Sequence, residues 1–200
     1  MQEYPPRVVR LWLDPVCPFS WNTARWLTAA AEADDFTIDW HMMSLAVLNE
    51  GRELPPPQQA RMQDSRKIGR LMAALHEELG ADVLSTAYMA FAQRYFDDSA
   101  DVDDELVDHV TRAVGAQRTG ASALDDHTLD ATVVQFHQAS QDALGDTGGS
   151  PLLTIDGHTV FGPVFTAVPD PEETPAVFRA VAALMRTPQF SQLHRPRGHA

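Results

Sequence analysis

Apolar and polar residues follow patterns along the 200-residue chain that predict a β-α-β unit at its start. Residues 8–13 form a short apolar run rich in β-forming residues, which is typical of a strand buried on both faces. An alanine-rich segment with apolar positions at helical spacing follows Cys17, and Pro18 suits the first turn of a helix. Residues 36–42 then alternate apolar and polar side chains, which indicates a second, half-buried strand.

The pattern becomes helical from about Pro55 to Leu144 and predicts four helices. The triple-proline segment at 55–57 is interpreted as a stiff entry loop. Gly80 and Gly115 follow two of the apolar stripes, as expected at helix ends. The stripes run along these positions: Ile68, Leu71, Met72, Leu75 and Leu79; Leu84, Tyr88, Phe91 and Tyr95; Leu106, Val110 and Val114; and Leu129, Val133, Phe136, Ser140 and Ala143.

The strand signal returns after a glycine-rich loop. Two short β-rich runs, 152–155 and 158–161, flank an Asp-Gly pair, which predicts a hairpin. A closing helix follows, with Asp170 as its cap, Pro171 as its first residue and Glu173 completing a capping box. Its predicted apolar stripe is Val177, Val181 and Leu184. The element order is therefore β-α-β, a helical block, then β-β-α.

Charge and composition restrict the kinds of partner. The net charge is −13 and the pI is about 4.8, so the protein repels phosphate backbones and anionic lipid. We expect no nucleic-acid partner and no membrane association, since no apolar run approaches the roughly 18 residues of a membrane span. The chain starts without a signal-peptide pattern and has one cysteine, which favours a reducing, cytoplasmic location.

The single cysteine, Cys17, is the main candidate for chemistry. It follows a strand and begins a helix, where unpaired N–H groups and the positive end of the helix dipole stabilise a thiolate. Cysteines in such positions have pKa values lowered to roughly 3.5 to 7.5. The alternative is a small, buried and inert side chain. We expect the pKa of Cys17 to be low and the residue to act as a nucleophile.

Ser20 lies one helical turn after Cys17, so its hydroxyl can donate a hydrogen bond to a thiolate or to a bound thiol. The alternative role is that of a first-turn serine that satisfies backbone groups. A serine cannot attack a mixed disulfide, which is the task of the second cysteine in a C-x-x-C pair. Any redox cycle must therefore use an external thiol.

Other residues around Cys17 suggest a binding surface. A cis bond at Ser150-Pro151 would leave the backbone of Ser150 free to pair with a ligand, although only about 5–6% of X-Pro bonds are cis. Phe19 and Trp21 flank Cys17 and are candidates for an aromatic pocket, the alternative being core packing. Since the eight histidines are scattered and only one cysteine is present, we expect no metal.

Several segments together resemble a known family. Residues 11–21, LWLDPVCPFSW, with a long helical insertion and Gly149-Ser150-Pro151 before a hairpin, resemble DsbA-like thioredoxin-fold oxidoreductases. More narrowly, residues 41–50, HMMSLAVLNE, and 161–164, FGPV, resemble the actinobacterial mycothiol-dependent nitroreductases of that family.

The resemblance implies an α/β thioredoxin fold with a helical insertion. Its thioredoxin-like domain would comprise residues 1–54 and 146–200, and the inserted helical domain, 55–145, would form a lid. It also implies a nucleophilic Cys17, a cis-proline and a low-molecular-weight thiol cofactor such as mycothiol. Asn49 becomes a candidate pocket residue, with a plain loop asparagine as the alternative. The expected thiol- and substrate-binding set is Pro18, Phe19, Trp21, Asn49, Ser150 and Pro151.

The active-site sequence departs from that family. C-P-W-C is typical there, whereas Phe19 and Ser20 give C-P-F-S here. The sequence therefore leaves three functions open: a monothiol oxidoreductase acting on a small, nitro-aromatic or disulfide substrate; an enzyme similar to kappa-class glutathione transferases or hydroxychromene carboxylate isomerases; and a redox-inactive module that binds a ligand or peptide. The oligomeric state is also open, a homodimer included.

Overall fold

A computed structural model describes residues 8–196 and shows a mixed α/β chain around one four-stranded sheet. The strands are β1 (Val8–Leu13), β2 (Thr37–Met42), β3 (Leu152–Ile155) and β4 (His158–Phe161). Their order is β2-β1-β3-β4, with β1 and β2 parallel and the other pairs antiparallel. Asp156 and Gly157 have φ of 52° and 83°, so they form the tight turn of the predicted hairpin.

Helices surround this sheet and match most of the predicted segments. They are α1 (Pro18–Asp34), α2 (Leu45–Leu48), α3 (Pro56–Leu79), α4 (Leu84–Ala92), α5 (Asp104–Val114), α6 (Asp130–Leu144) and α7 (Thr174–Met185). Helices α3 to α6 are the four expected in the middle of the chain. A π-helical turn (Gln93–Asp97) follows α4, and short 3-10 turns occupy Ala81–Val83, Ala121–Asp125 and His127–Leu129. The four-residue helix α2 was not anticipated.

The strands and the middle helices share a hydrophobic core. Val9, Leu11 and Leu13 of β1 are fully buried in it together with Leu71 of α3 and Phe91 of α4. The alternate β1 residue Trp12 instead belongs to a smaller cluster with Met43 and Leu152. The helical segment thus buries its apolar side chains in the same core as the sheet. The division into domains at residues 54 and 146 stays a prediction.

The start and the buried face of the closing helix differ from the sequence prediction. Helix α7 begins at Thr174, and Asp170 contributes its backbone carbonyl to the turn before it by accepting from the amides of Glu173 and Thr174. Phe178 sets the rotation of α7, since its ring packs against Phe36 at 4.6 Å and Trp26 at 6.1 Å. The fully or nearly fully buried α7 positions are Thr174, Phe178, Ala182 and Met185, one residue away from the predicted Val177, Val181 and Leu184.

Candidate active site

Cys17 caps the N-terminus of α1, as the sequence predicted. Its backbone is extended, with φ of −82° and ψ of 115°, and Pro18 is the first helical residue. The Cys17 amide donates to the carbonyl of Asp14 at 3.2 Å, which closes the turn after β1, and its carbonyl accepts from the amide of Trp21 at 3.1 Å. A buried strand followed by this tight turn therefore fixes the sulfur at the start of the helix.

The loop before β3 lies directly against Cys17. The Ser150–Pro151 peptide bond is cis. The Cys17 thiol donates to the Ser150 carbonyl, with 3.4 Å between Sγ and O. The fold thus brings together two segments that are 133 residues apart in the sequence.

A chain of hydrogen bonds leads from the backbone to the sulfur. The Asp14 amide donates to the Ser150 hydroxyl at 2.7 Å, and that hydroxyl lies 2.6 Å from the Ser20 hydroxyl. When Ser150 donates its proton to Ser20, the Ser20 proton is left for Cys17. The hydrogen bond from the Ser20 hydroxyl to the sulfur lowers the pKa of Cys17. The side chains of Cys17, Ser20 and Ser150 are all buried, so these hydrogen bonds are shielded from water.

Burial nevertheless raises the pKa of the Cys17 thiol above its usual value. Only 4% of the residue is exposed, and removal from water disfavours the thiolate. Hydrogen bonds from Ser20 and from the Ser20 and Phe19 amides oppose this effect, while the nearby carboxylate of Asp14 adds to it. The expectation of a low thiol pKa is therefore wrong for this conformation, because desolvation outweighs the helix terminus.

Asp14, the residue directly after β1, is a fully buried acid that the sequence did not single out. Its carboxylate accepts from the amides of Val16 at 2.9 Å and Leu45 at 2.6 Å, and from the Ser65 hydroxyl at 2.6 Å. Burial raises its pKa, against the lowering effect of these hydrogen bonds. Asp14 therefore ties the cysteine turn to α2 and α3. The signal was an acid directly after a buried strand, but its distant partners could not be read from the sequence.

Trp21 packs into the core beside the site. Its indole N–H donates to Asp97 at 3.1 Å, and the guanidinium of Arg25 lies 4.8 Å from its ring centre. With 5% exposure, Trp21 contributes little open surface in this conformation. Pro18 and Phe19 are partly exposed and form the accessible part of the C-P-F-S sequence. An aromatic pocket around Cys17 stays a prediction.

Asn49 lies at the end of α2 and makes local contacts. Its side-chain amide donates to the Leu45 carbonyl at 2.8 Å and approaches the Met62 sulfur at 3.8 Å. Leu45 is also the residue whose amide binds Asp14, so Asn49 is connected to the cysteine turn through α2. Its role in ligand binding stays a prediction.

Two further properties concern the part of the chain that the structure describes. Between residues 8 and 196, no group of three or more His, Cys, Asp or Glu side chains is arranged to hold a metal ion. None of the helices in this range is long and apolar enough to cross a membrane.

The fold and the position of the cysteine define a class of protein. A β-α-β unit and a β-β-α unit joined by helices, with a cysteine at the start of α1 facing a cis-proline loop, form a DsbA-like thioredoxin fold. Solved structures agree. A 2-hydroxychromene-2-carboxylate isomerase has a TM-score of 0.59 and 16% identity, covering 90% of this chain and 96% of its own. The cytosolic disulfide reductase DsbM from Pseudomonas aeruginosa has a TM-score of 0.54 and 16% identity, covering 88% and 99%.

The sequence comparison identifies the family within this class. Residues 16–195 match the Rv2466c-like family, described as mycothiol-dependent nitroreductase Rv2466c, and the chain belongs to that family. A relative from Mycobacterium tuberculosis, the uncharacterized protein Rv2286c, is 28% identical over 192 residues, which is 94% of this chain and 81% of that protein. The resemblance found in the sequence is thereby confirmed, together with the fold class.

Proposed function

We propose that the protein is a thiol-dependent oxidoreductase in which Cys17 is the nucleophile and an external low-molecular-weight thiol, mycothiol or a close analogue, supplies the second sulfur. The observation that carries this proposal is the hydrogen-bonded chain from Asp14 through Ser150 and Ser20 to the sulfur of the only cysteine. Membership of a family described as mycothiol-dependent supports the choice of thiol. The structure of DsbM solved with GSH supports a small-thiol site on this fold.

The electron balance fits a monothiol cycle. Oxidation of Cys17 and one external thiol to a mixed disulfide releases two electrons and two protons, which reduce the substrate. A second external thiol then attacks the mixed disulfide, releases Cys17 as a thiolate and leaves as the external disulfide. One turnover therefore consumes two external thiols. Ser20 cannot replace the second of them, because a hydroxyl forms no disulfide.

The surrounding residues have distinct parts in this cycle. The Ser20 hydroxyl donates to the Cys17 thiolate both before attack and when Cys17 leaves the mixed disulfide, so it assists both steps. Ser150 and the Asp14 amide orient that hydroxyl. Phe19 and Pro18, which are partly exposed, are the proposed contact surface for a small, nitro-aromatic or disulfide substrate. A lone cysteine with this cycle suits a reducing compartment, and we propose the cytoplasm.

Turnover of the external thiol tests this proposal. Purified protein is supplied with mycothiol and either a small disulfide or a nitro-aromatic probe, and the loss of thiol and of probe is followed together. We expect two thiols to be consumed for each pair of electrons transferred, and Cys17→Ser to abolish turnover. Full activity of Cys17→Ser would overturn the nucleophilic role.

The buried, neutral thiol favours a second candidate. Burial raises the pKa of Cys17, while the Ser20 hydroxyl stays beside the helix terminus, where it could activate the sulfur of a bound thiol instead. Such an enzyme would be a transferase or isomerase without a covalent Cys17 intermediate. It predicts that Cys17→Ser keeps turnover and that Ser20→Ala loses it, whereas a Cys17 nucleophile requires that Cys17→Ser abolish turnover.

A further inference from the structure

Tyr88 places a hydrogen-bond donor without an acceptor next to the active site. The residue lies on α4 and is fully buried, and its hydroxyl has no hydrogen-bond partner among residues 8–196. Its ring meets the edge of Trp21 at 6.2 Å and lies 6.0 Å from the ring of Trp40. Trp21 lies one helical turn beyond Cys17, and its backbone amide donates to the Cys17 carbonyl.

An unpartnered phenol in a core requires an explanation. Buried tyrosine hydroxyls usually find a partner, and leaving one without an acceptor is costly because the group has lost its bonds to water. The other phenol of the same helical segment follows this rule, since Tyr95 donates to Asp64 at 2.8 Å. Tyr88 keeps its hydroxyl although a phenylalanine would fill the same volume.

The surroundings of the Tyr88 hydroxyl keep it in its neutral form. Burial raises the pKa of Tyr88 well above its usual value, and the charges of Cys17 and then Asp14 raise it further. The phenol therefore stays protonated at neutral pH, so it can donate a hydrogen bond.

We propose that Tyr88 is an additional ligand-binding residue, whose hydroxyl donates a hydrogen bond to an acceptor oxygen or sulfur of the thiol attached to Cys17. This inference rests on the proposed function and deepens it, because it assigns the helical segment a direct contact with the bound thiol. The bound thiol then supplies the acceptor that the Tyr88 hydroxyl lacks in the unliganded protein. Since Cys17 is 4% exposed and Tyr88 is fully buried, the bound state requires the side chains that cover both residues to move aside.

Removal of single hydroxyl groups tests this inference. Wild type, Tyr88→Phe and the matched control Tyr95→Phe are equilibrated with mycothiol and its disulfide, and the fraction of Cys17 in the mixed disulfide is measured by intact mass. The reaction is Cys17 thiol plus external disulfide, giving Cys17 mixed disulfide plus external thiol. We expect its equilibrium constant to fall about tenfold in Tyr88→Phe, the loss of one hydrogen bond, and to stay within about twofold in Tyr95→Phe.

The thermal midpoints of the unliganded proteins provide a second readout. Tyr88→Phe should melt at the same temperature as wild type or higher, because it removes an unsatisfied buried group, whereas Tyr95→Phe should melt lower. A Tyr88→Phe midpoint lowered as much as that of Tyr95→Phe would overturn the inference, as would an unchanged equilibrium constant. If wild type itself forms no mixed disulfide, the proposed function fails and this inference fails with it; an equal adduct in both proteins removes the inference alone.

Discussion

The hydroxyl groups of Ser20 and Ser150 lie 2.6 Å apart, although the residues are separated by 130 positions in the chain. Ser150 already accepts a hydrogen bond from the Asp14 amide, so its own proton is available to Ser20. This orientation leaves the Ser20 proton free for the Cys17 thiolate. We therefore expect these two serines to influence the reactivity of Cys17.

Ser150 should act on the Cys17 thiolate through Ser20. Ser20→Ala removes the donor to the Cys17 thiolate and should slow alkylation of Cys17 at neutral pH by about tenfold or more, since a hydrogen bond to a charged group is worth roughly 1.5–3 kcal/mol. Ser150→Ala should slow it less, because it only misorients Ser20. The double variant should match Ser20→Ala, as expected when one residue acts through the other. The measurement is the pH dependence of alkylation.

Ser140→Ala is the control for this series. Ser140 is another fully buried serine, which donates to the His137 carbonyl within α6. Its replacement should leave the alkylation rate unchanged. Additive effects of Ser20→Ala and Ser150→Ala would show that the two hydroxyls act independently and would contradict the proposed chain.

Ser20→Cys should convert the monothiol site into a dithiol site. Residue 20 is one helical turn from Cys17, the spacing of an exchangeable C-x-x-C pair. After oxidation, the variant should lose about 2 Da, the mass of two hydrogens, and should no longer retain an external thiol. Intact mass spectrometry checks this outcome. A variant that accumulates the external adduct as wild type does would show that residue 20 cannot reach the Cys17 sulfur.

Asp14 should make the free energy of unfolding depend on pH in an unusual direction. Burial raises its pKa in the folded state, so its contribution is fully present below the ordinary carboxyl pKa and is lost as the pH rises through the folded value. Asp14→Asn removes this pH-dependent loss of stability, because an amide does not ionise. It also leaves one of the hydrogen-bond donors around residue 14 unpaired, which lowers the free energy of unfolding by about 1–3 kcal/mol. The stability advantage of wild type over Asp14→Asn should therefore shrink as the pH rises, as measured by urea unfolding.

Asp39→Asn provides a control of opposite sign. Partial burial would raise the pKa of Asp39, but contacts with His41 at 2.9 Å and Arg10 at 3.0 Å lower it overall. Its contribution is therefore present at higher pH and lost as the pH falls. A difference curve for Asp14→Asn with the same slope as that for Asp39→Asn would contradict the raised pKa of Asp14.

Glu78 should stabilise the fold at neutral pH and lose this effect in acid. Hydrogen bonds from the Gln117 amide and from the hydroxyl and amide of Thr119, with a further one from the Arg118 amide, lower the pKa of Glu78 to about 2. The stabilisation is present above the ordinary value of 4.5 and is lost as the pH falls from there toward 2. Glu78→Gln should thus be less stable than wild type at neutral pH, and the difference should vanish in acid.

Glu77→Gln is the matched charge control for this prediction. Glu77 is the preceding residue on α3 and accepts a hydrogen bond from the Thr132 hydroxyl. The loss of its charge alone should have a small effect on the free energy of unfolding. Equal effects of Glu77→Gln and Glu78→Gln would show that the loop anchored by Glu78 does not depend on these hydrogen bonds.

Local patterns were sufficient for most of the fold. The Asp156-Gly157 turn, the glycines that end α3 and α5, and the cap position of Cys17 each depend on neighbouring residues, so they could be predicted. The rotation of α7 could not, because it depends on Phe178 packing against Trp26 and Phe36, far away in the chain.

The chemistry of the site was less accessible from the sequence. The neighbouring residues predicted that Cys17 begins a helix, but the raised pKa of its thiol depends on burial by distant segments. Asp14 was missed because its partners Leu45 and Ser65 lie 31 and 51 residues away. Tyr88 was expected in an apolar stripe, and it is there; only the three-dimensional packing shows that its hydroxyl lacks an acceptor.

In the proposed redox cycle, the second sulfur comes from outside the chain. Intact mass spectrometry after exposure of the reduced protein to mycothiol disulfide tests it most directly, with Cys17→Ser as the control. We predict one mycothiol adduct on wild type, none on Cys17→Ser, and loss of the adduct when mycothiol is added. The absence of any adduct on wild type under all oxidising conditions would contradict it.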